Sequence, residues 1–323
     1  VMTMAIFIVL RKSIGEEAHT ASGKGSAGVL DKPAGPFKLV LIHVFIFSVI
    51  GMALLPHISV FMTSIAEPGS WMQRFLPADL TFSHYDGALS HELTLPSVKR
   101  SVTYSVCSTG LDLVLGVLIA WLLARARFKG RNVLDALVML PLALPGLVLA
   151  FGYMAAYSGF EHHPLMRLFP EALQARIVRI VDPRVNPTML LIVGYAVRRL
   201  PYMVRSAYAG FMQTSVGLEE ASASLGAGPF TTFRRITLPL VTANLLGGII
   251  LCFSFAMLEV SDSLILAQTK DYYPIAKALY QFALMIQKGT YYACSVRVWA
   301  MRFRGVSLLL AASFMGRPLG SLF

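Results

Sequence analysis

Residues 39–65 read LVLIHVFIFSVIGMALLPHISVFMTSI, twenty-seven positions without an Asp, Glu, Lys or Arg. About twenty apolar residues in helical form cross the hydrocarbon core of a bilayer. Runs of similar length recur down the chain, at 101–124, 133–157, 188–210, 238–267 and 294–315. In lipid an open strand would leave backbone groups unpaired, so each run is expected to be a helix. The predicted fold class is all-α: a polytopic bundle of six transmembrane helices.

Composition agrees. Of 323 residues, 56% are hydrophobic and 14% charged, against about a quarter charged in a soluble domain. The formal net charge of +11 would suggest nucleic acid in a soluble protein; here it points to loops facing an anionic cytoplasmic leaflet, with no nucleic-acid partner. Cys107, Cys252 and Cys294 lie in apolar stretches without paired spacing, which excludes a disulfide framework and a zinc ribbon. His162-His163, His84 and His91 read as ordinary loop histidines, and no metal or cofactor is expected.

Val1–Leu10 is a short apolar run followed by Arg11 and Lys12. A signal peptide carries its positive charge before the apolar region, so 1–10 is expected to be the cytoplasmic end of a preceding transmembrane helix. Residues 11–38, rich in Gly, Ala, Ser and Lys, read as a flexible linker. The basic residues set an orientation. The linker, the ARARFKGR turn (124–131), the stretch holding Arg198, Arg199, Arg205, Arg234 and Arg235, and the tail 316–323 with Arg317 are expected on the cytoplasmic side, both ends of the six-span unit (39–315) included. That side then carries +9 and the other +2. Pro170–Pro183 reads as a short amphipathic helix on the outer surface.

The most informative loop is GLEEASASLGAGPFTTFRRITLPLV, Gly217–Val241. Glu219 and Glu220 open a short helical run that stops at Gly226, where positive φ is favoured. Gly228-Pro229 interrupts the chain, and Phe230 and Phe233 alternate with Arg234 and Arg235 before Leu238-Pro239 starts the next span. A glycine-hinged helix–turn–helix between two spans suits the docking of a cytosolic partner.

The spacing Glu220-Ala221-Ser222, three residues, Gly226, nine residues, Ile236-Thr237-Leu238-Pro239 resembles the EAA loop of binding-protein-dependent ABC importer permeases. Ser222 in place of the second alanine is the one departure. PLALPGLVLAFGY (141–153), RRLPYMVRSAYAGFMQTS (198–215) and the glycine-rich linker make the chain most similar to the second half of a fused ferric-iron type permease. The resemblance implies a bacterial inner-membrane subunit, not itself an enzyme, that takes up a solute. Its partners would be an ABC ATP-binding subunit docked on the loop, a periplasmic solute-binding protein and a second six-span unit. It implies iron(III) as solute, with polyamine, thiamine, sulfate, molybdate or phosphonate carried by permeases that share the loop.

Within the spans, Pro141, Pro145 and Gly146 read either as a kink or as a broken helix lining the path. Glu259 and Asp262, in FAMLEVSDSLILA, cost about 2.5–3.5 kcal/mol each at the bilayer centre unless paired or wet. They are read as a pathway or gate pair, an internal structural pair, or residues of the outer interface; Asp112 follows the same argument. An ion-coupled secondary carrier using Glu259 and Asp262, or a membrane scaffold, are the readings from other classes. Arg297, Arg302 and Arg304 fit the sixth segment poorly. Either they pair with Asp112, Glu259 and Asp262, or the stretch carries sequence errors.

Overall fold

The computed structural model describes residues 35–71, 76–286 and 288–320. The expected preceding helix end, 1–10, and the linker up to residue 34 lie outside the described residues. The chain divides into two compact units, Val1–Ser59 and Val60–Phe323, and each is taken by itself.

Helix α1 (Pro36–Ile65) begins inside the expected linker and continues past the boundary of the first unit. From Phe37 to Ile58 its large apolar side chains are exposed, which suits contact with hydrocarbon.

In the second unit, α2 (Ser83–Leu89) precedes the long α3 (Thr94–Arg125). The third expected span is not one helix. It is α4 (Arg131–Ala143) followed by α5 (Gly146–Tyr157), bent by 102° at the break. The cause is local: Pro145 disfavours helical backbone at the residue before it, and Leu144 is extended at φ −94°, ψ 135°. The amphipathic α6 (Glu171–Val181) stands where the sequence places it. Next come α7 (Thr188–Gln213), α8 (Val216–Ser224), α9 (Pro229–Thr232), a π-helical turn (Phe233–Thr237) and α10 (Leu238–Ala256). The fifth expected segment also breaks, continuing as α11 (Ser261–Leu266). Then α12 (Ile275–Ala283) leads to α13 (Gly289–Gly320), which runs through most of the expected tail 316–323.

Helices α1, α3 and α9–α10 are long and apolar enough to cross a membrane, and the bent pair α4–α5 makes a fourth. Helix α7 falls short of that hydropathy because it holds Arg198, Arg199 and Arg205 within its length.

The core is α3, α7 and α10. Lipid tails are as apolar as leucine, so helices in a bilayer associate by close packing at small residues. A Cβ on Gly116 of α3 would meet Met203 of α7, and one on Gly248 of α10 would meet Met203 and Ser206. Two apolar clusters result. One holds Val117, Ala120, Leu123, Val204, Phe211, Val241 and Leu245; the other holds Tyr104, Leu191, Tyr195, Ala256, Leu266, Ile275 and Phe282. Between them, on all three helices, the sequence places polar groups.

Candidate functional site

The loop 215–239 is built as a clip. Ser215 is extended and its hydroxyl accepts from Gly217 N at 3.3 Å, capping α8. At the other end Gly226 takes φ +85°, Gly226 N donates to Ala223 O at 2.9 Å and Ala227 N to Ser222 O at 3.1 Å. These bonds satisfy carbonyls that a helix end leaves open. The two acids of the loop diverge. Glu219 turns inward: its Oε1 accepts from Arg125 Nε, the last residue of α3, and from Thr237 Oγ1, each at 3.2 Å. Arg125 also donates to Thr214 O at 3.0 Å. Glu220 and Ala221 are exposed, as are Val216, Leu218, Leu225 and Phe230. Ser222 is buried and shares a 2.9 Å hydrogen bond with Thr232 Oγ1. The departure from alanine is therefore used within the chain, to tie α8 to α9. Ile236 and Leu238 are half-buried and Pro239 exposed at the start of α10.

The second constellation lies between the apolar clusters. Glu259, in the break after α10, is 4% exposed. Its Oε1 accepts from Arg198 Nη1 at 2.7 Å and from Ser261 N at 3.0 Å, and its Oε2 pairs with Arg199 Nη2. Arg199 also donates to Phe255 O at 2.9 Å and lies over the ring of Tyr195, 5.8 Å from its centroid. Ser263 Oγ donates its proton to Glu259 O at 2.6 Å, so the 2.6 Å contact with Tyr195 is donated by the tyrosine. Asp262 is fully buried, and neither of its carboxylate oxygens has a hydrogen-bond partner among the described residues. It stands against the backbone of Gly194. The α4–α5 break meets this layer directly. A Cβ on Gly146 would contact Arg198 Nη1 and lie 2.6 Å from Ser261 Oγ.

Residues 113–315 match the family described as the binding-protein-dependent transport system inner membrane component. The chain belongs to that family. Its relatives carry different cargo names. A putative ferric transport system permease protein of Haemophilus influenzae is 29% identical over 279 residues, which is 84% of this chain and 40% of that protein. A probable molybdenum ABC transporter permease protein of Haloferax volcanii is 32% identical over 186 residues, 58% of this chain and 62% of the other. The fold is similar to that of a bacterial ABC transporter involved in the import of the acidic polysaccharide alginate. That match has TM-score 0.62 and 17% identity, and covers 86% of this chain and 97% of the other. The chain thus spans well under half the length of the ferric relative.

Of the acids of this permease named from the sequence, Glu259 is ion-paired, while Asp262 and Asp112 are buried without hydrogen-bond partners among the described residues. Among the described side chains Glu259 does not pair with Arg297 or Arg302; its partners are Arg198 and Arg199. The charge pattern expects those two on the cytoplasmic side, although the span 188–210 encloses them. Arg199, 6% exposed, lies mid-helix in α7, and removing both from the cytoplasmic count lowers +9 to +7. The signal was available: two adjacent arginines inside one apolar run need buried acids in another. Arg297 and Arg302 are exposed on α13; the side chain of Arg304 lies outside the described ones.

Proposed function

We propose that this permease is the solute-conducting half of an ATP-driven importer, with α8 as the coupling helix that seats in a separate ATP-binding subunit. One observation carries the reading most: the loop is fixed from inside and exposed outside. Glu219, Ser222 and Thr237 bond inward. Glu220, Leu225 and Phe230 are left exposed for a partner. Leu225 is 89% and Phe230 75% exposed, and apolar groups so exposed beside a carboxylate suit the rim and centre of a protein interface. Force on α8 would pass through Glu219 to Arg125 and so to α3.

On this reading a second six-span unit completes the channel, the domain 39–315 is the conducting unit, and both its ends face the cytoplasm. A periplasmic binding protein delivers solute to the outer stretches, and the partner subunit hydrolyses ATP. The path runs past Pro145, Gly146, Glu259 and Asp262. Iron(III) is the proposed solute, supported by the ferric relative; a molybdenum species is the alternative that the Haloferax relative supports. The test replaces Glu220 with Lys and Gly226 with Val, then measures retention of the ATP-binding subunit and uptake of iron(III). Both should fall. Normal assembly and uptake would remove the docking role, and uptake that survives ATP depletion but collapses with the proton gradient would establish an ion-coupled carrier instead.

A further inference from the structure

The polar layer leaves buried polar atoms without hydrogen-bond partners on two neighbouring helices. Asp112 of α3 lies one helical turn from Gly116, Arg199 of α7 one turn from Met203, and Cys252 of α10 one turn from Gly248. The three close-packed residues of one layer thus carry Asp112, Arg199 and Cys252 in the next. Cys252 Sγ donates to Arg199 O at 3.5 Å, and the groups in the field of Asp112 are Arg199 and Cys252. Asp112 is 1% exposed, and neither of its oxygens has a hydrogen-bond partner among the described residues. Arg199 Nη1 is buried and has none either.

A buried carboxylate and a buried guanidinium nitrogen, each without a hydrogen-bond partner among the described residues and on neighbouring helices of one layer, are costly as they stand. Glu259, by contrast, is over-supplied. Were Arg199 to leave, Glu259 would keep Arg198 Nη1 and Ser261 N. One side of an exchange is therefore already insured, and the other side is vacant.

We propose that Asp112 is a second seat for the Arg199 guanidinium, taken when the permease changes conformation and Arg199 releases Glu259. The release removes one of the ties between the Glu259–Leu266 segment and α7, leaving Arg198 on Glu259 and the Tyr195–Ser263 hydrogen bond in place. Asp112 is then a positioning residue of the gate and not a solute ligand. The inference rests on reading the chain as an ATP-driven permease.

The test uses the permease assembled with its ATP-binding partner in lipid nanodiscs. Cys107 and Cys294 are replaced by Ser, the buried Cys252 is kept, and spin labels are placed at the exposed Val185 and Val260. In the parent protein the distance between labels should change between the nucleotide-free and the ATP–vanadate-trapped states. D112N should keep the nucleotide-free distance and unfolding midpoint but lower the trapped population about tenfold, and D112E should restore it. A D112N protein that reaches the trapped distance as the parent does overturns the exchange. So does one that loses nucleotide-free stability with the balance between states unchanged, since that is a purely structural role. A parent protein whose distance ignores ATP and vanadate overturns the permease reading itself, and the exchange with it.

Discussion

Arg125, the last residue of α3, and Glu219, in the first turn of α8, are joined by a 3.2 Å ion pair. Their side chains are 11% and 20% exposed, so the pair is largely shielded from water. It links a helix of the transmembrane core to the loop read as the docking handle. Hydrogen bonds to charged groups contribute about 1.5–3 kcal/mol when one partner is removed.

Glu219→Ala is therefore expected to destabilise the permease by about that amount, because Arg125 keeps only Thr214 O. Glu220→Ala, one residue on and exposed, should change stability by less than about 0.5 kcal/mol while weakening retention of the ATP-binding subunit. Thermal unfolding of the purified permease, paired with co-purification of the partner, separates the two acids. Equal loss of stability in both variants would refute the inward–outward division.

Gly226 takes φ +85° with nothing within 4 Å of the place a Cβ would occupy. The cost of Gly226→Ala is then backbone strain alone, about 1–2 kcal/mol. Gly226→Asn should be milder, since asparagine tolerates left-handed backbone. A ranking in which Ala is better tolerated than Asn in unfolding measurements would show that the loop needs small size at 226 and not positive φ.

How much of this the sequence disclosed follows from how local each cause is. The long helices α1, α3 and α7, the cap at Gly226 and the amphipathic α6 depend on periodicity and on residues within one turn, and these stand close to where the spacing puts them. The break at Leu144-Pro145 was legible as a kink or a broken helix from Pro145 and Gly146, whereas the break after Ala256 was not, because no proline or glycine marks it and an apolar run looks the same whether or not its helix bends. Least legible was the pairing of Glu259 with Arg198 and Arg199, about sixty residues apart in sequence. Charge counting draws arginines toward the water, and only the packing of α7 against α10 shows that Arg199 is buried and Arg198 half-buried against Glu259.

Glu259→Gln should be among the most damaging substitutions in the chain. It would leave two arginines, one of them 6% exposed, without their shared carboxylate. Breaking one side of a buried ion pair costs about 3–5 kcal/mol. Arg198→Gln should cost less, because Glu259 keeps Arg199 and Ser261 N. A denaturation series in nanodiscs checks the order, and a Glu259→Gln protein as stable as the parent would mean the cluster is hydrated.

Gly146→Ala tests the contact between the helix break and the polar layer. The added methyl would lie 2.6 Å from Ser261 Oγ and press on Arg198, and overpacking of this kind costs about 1–3 kcal/mol. Ser261→Ala should relieve part of it, so the double variant is expected to be more stable than Gly146→Ala alone. A double variant that is worse than both single ones would mean that α5 and α11 do not meet here.

The insert 158–187 should respond to acid through Asp182. This carboxylate is fully buried and accepts from Gly159 N and Arg184 N, each at 2.9 Å, and from Arg184 Nη2 at 2.7 Å. The hydrogen bonds from Arg184 hold it below the usual carboxylate range, at about 2 against an ordinary 3.8, although burial works the other way. Between those two values the unfolded insert binds more protons than the folded one, so stability there rises with pH. The stabilisation is complete above the ordinary value and disappears as pH falls through the folded one. Hydrogen exchange of residues 158–187 should stay slow from neutral pH down to about 4 and quicken below it. Asp182→Asn should exchange faster at neutral pH and show no such acid step. An Asp182→Asn protein that keeps the acid step would remove Asp182 as its source.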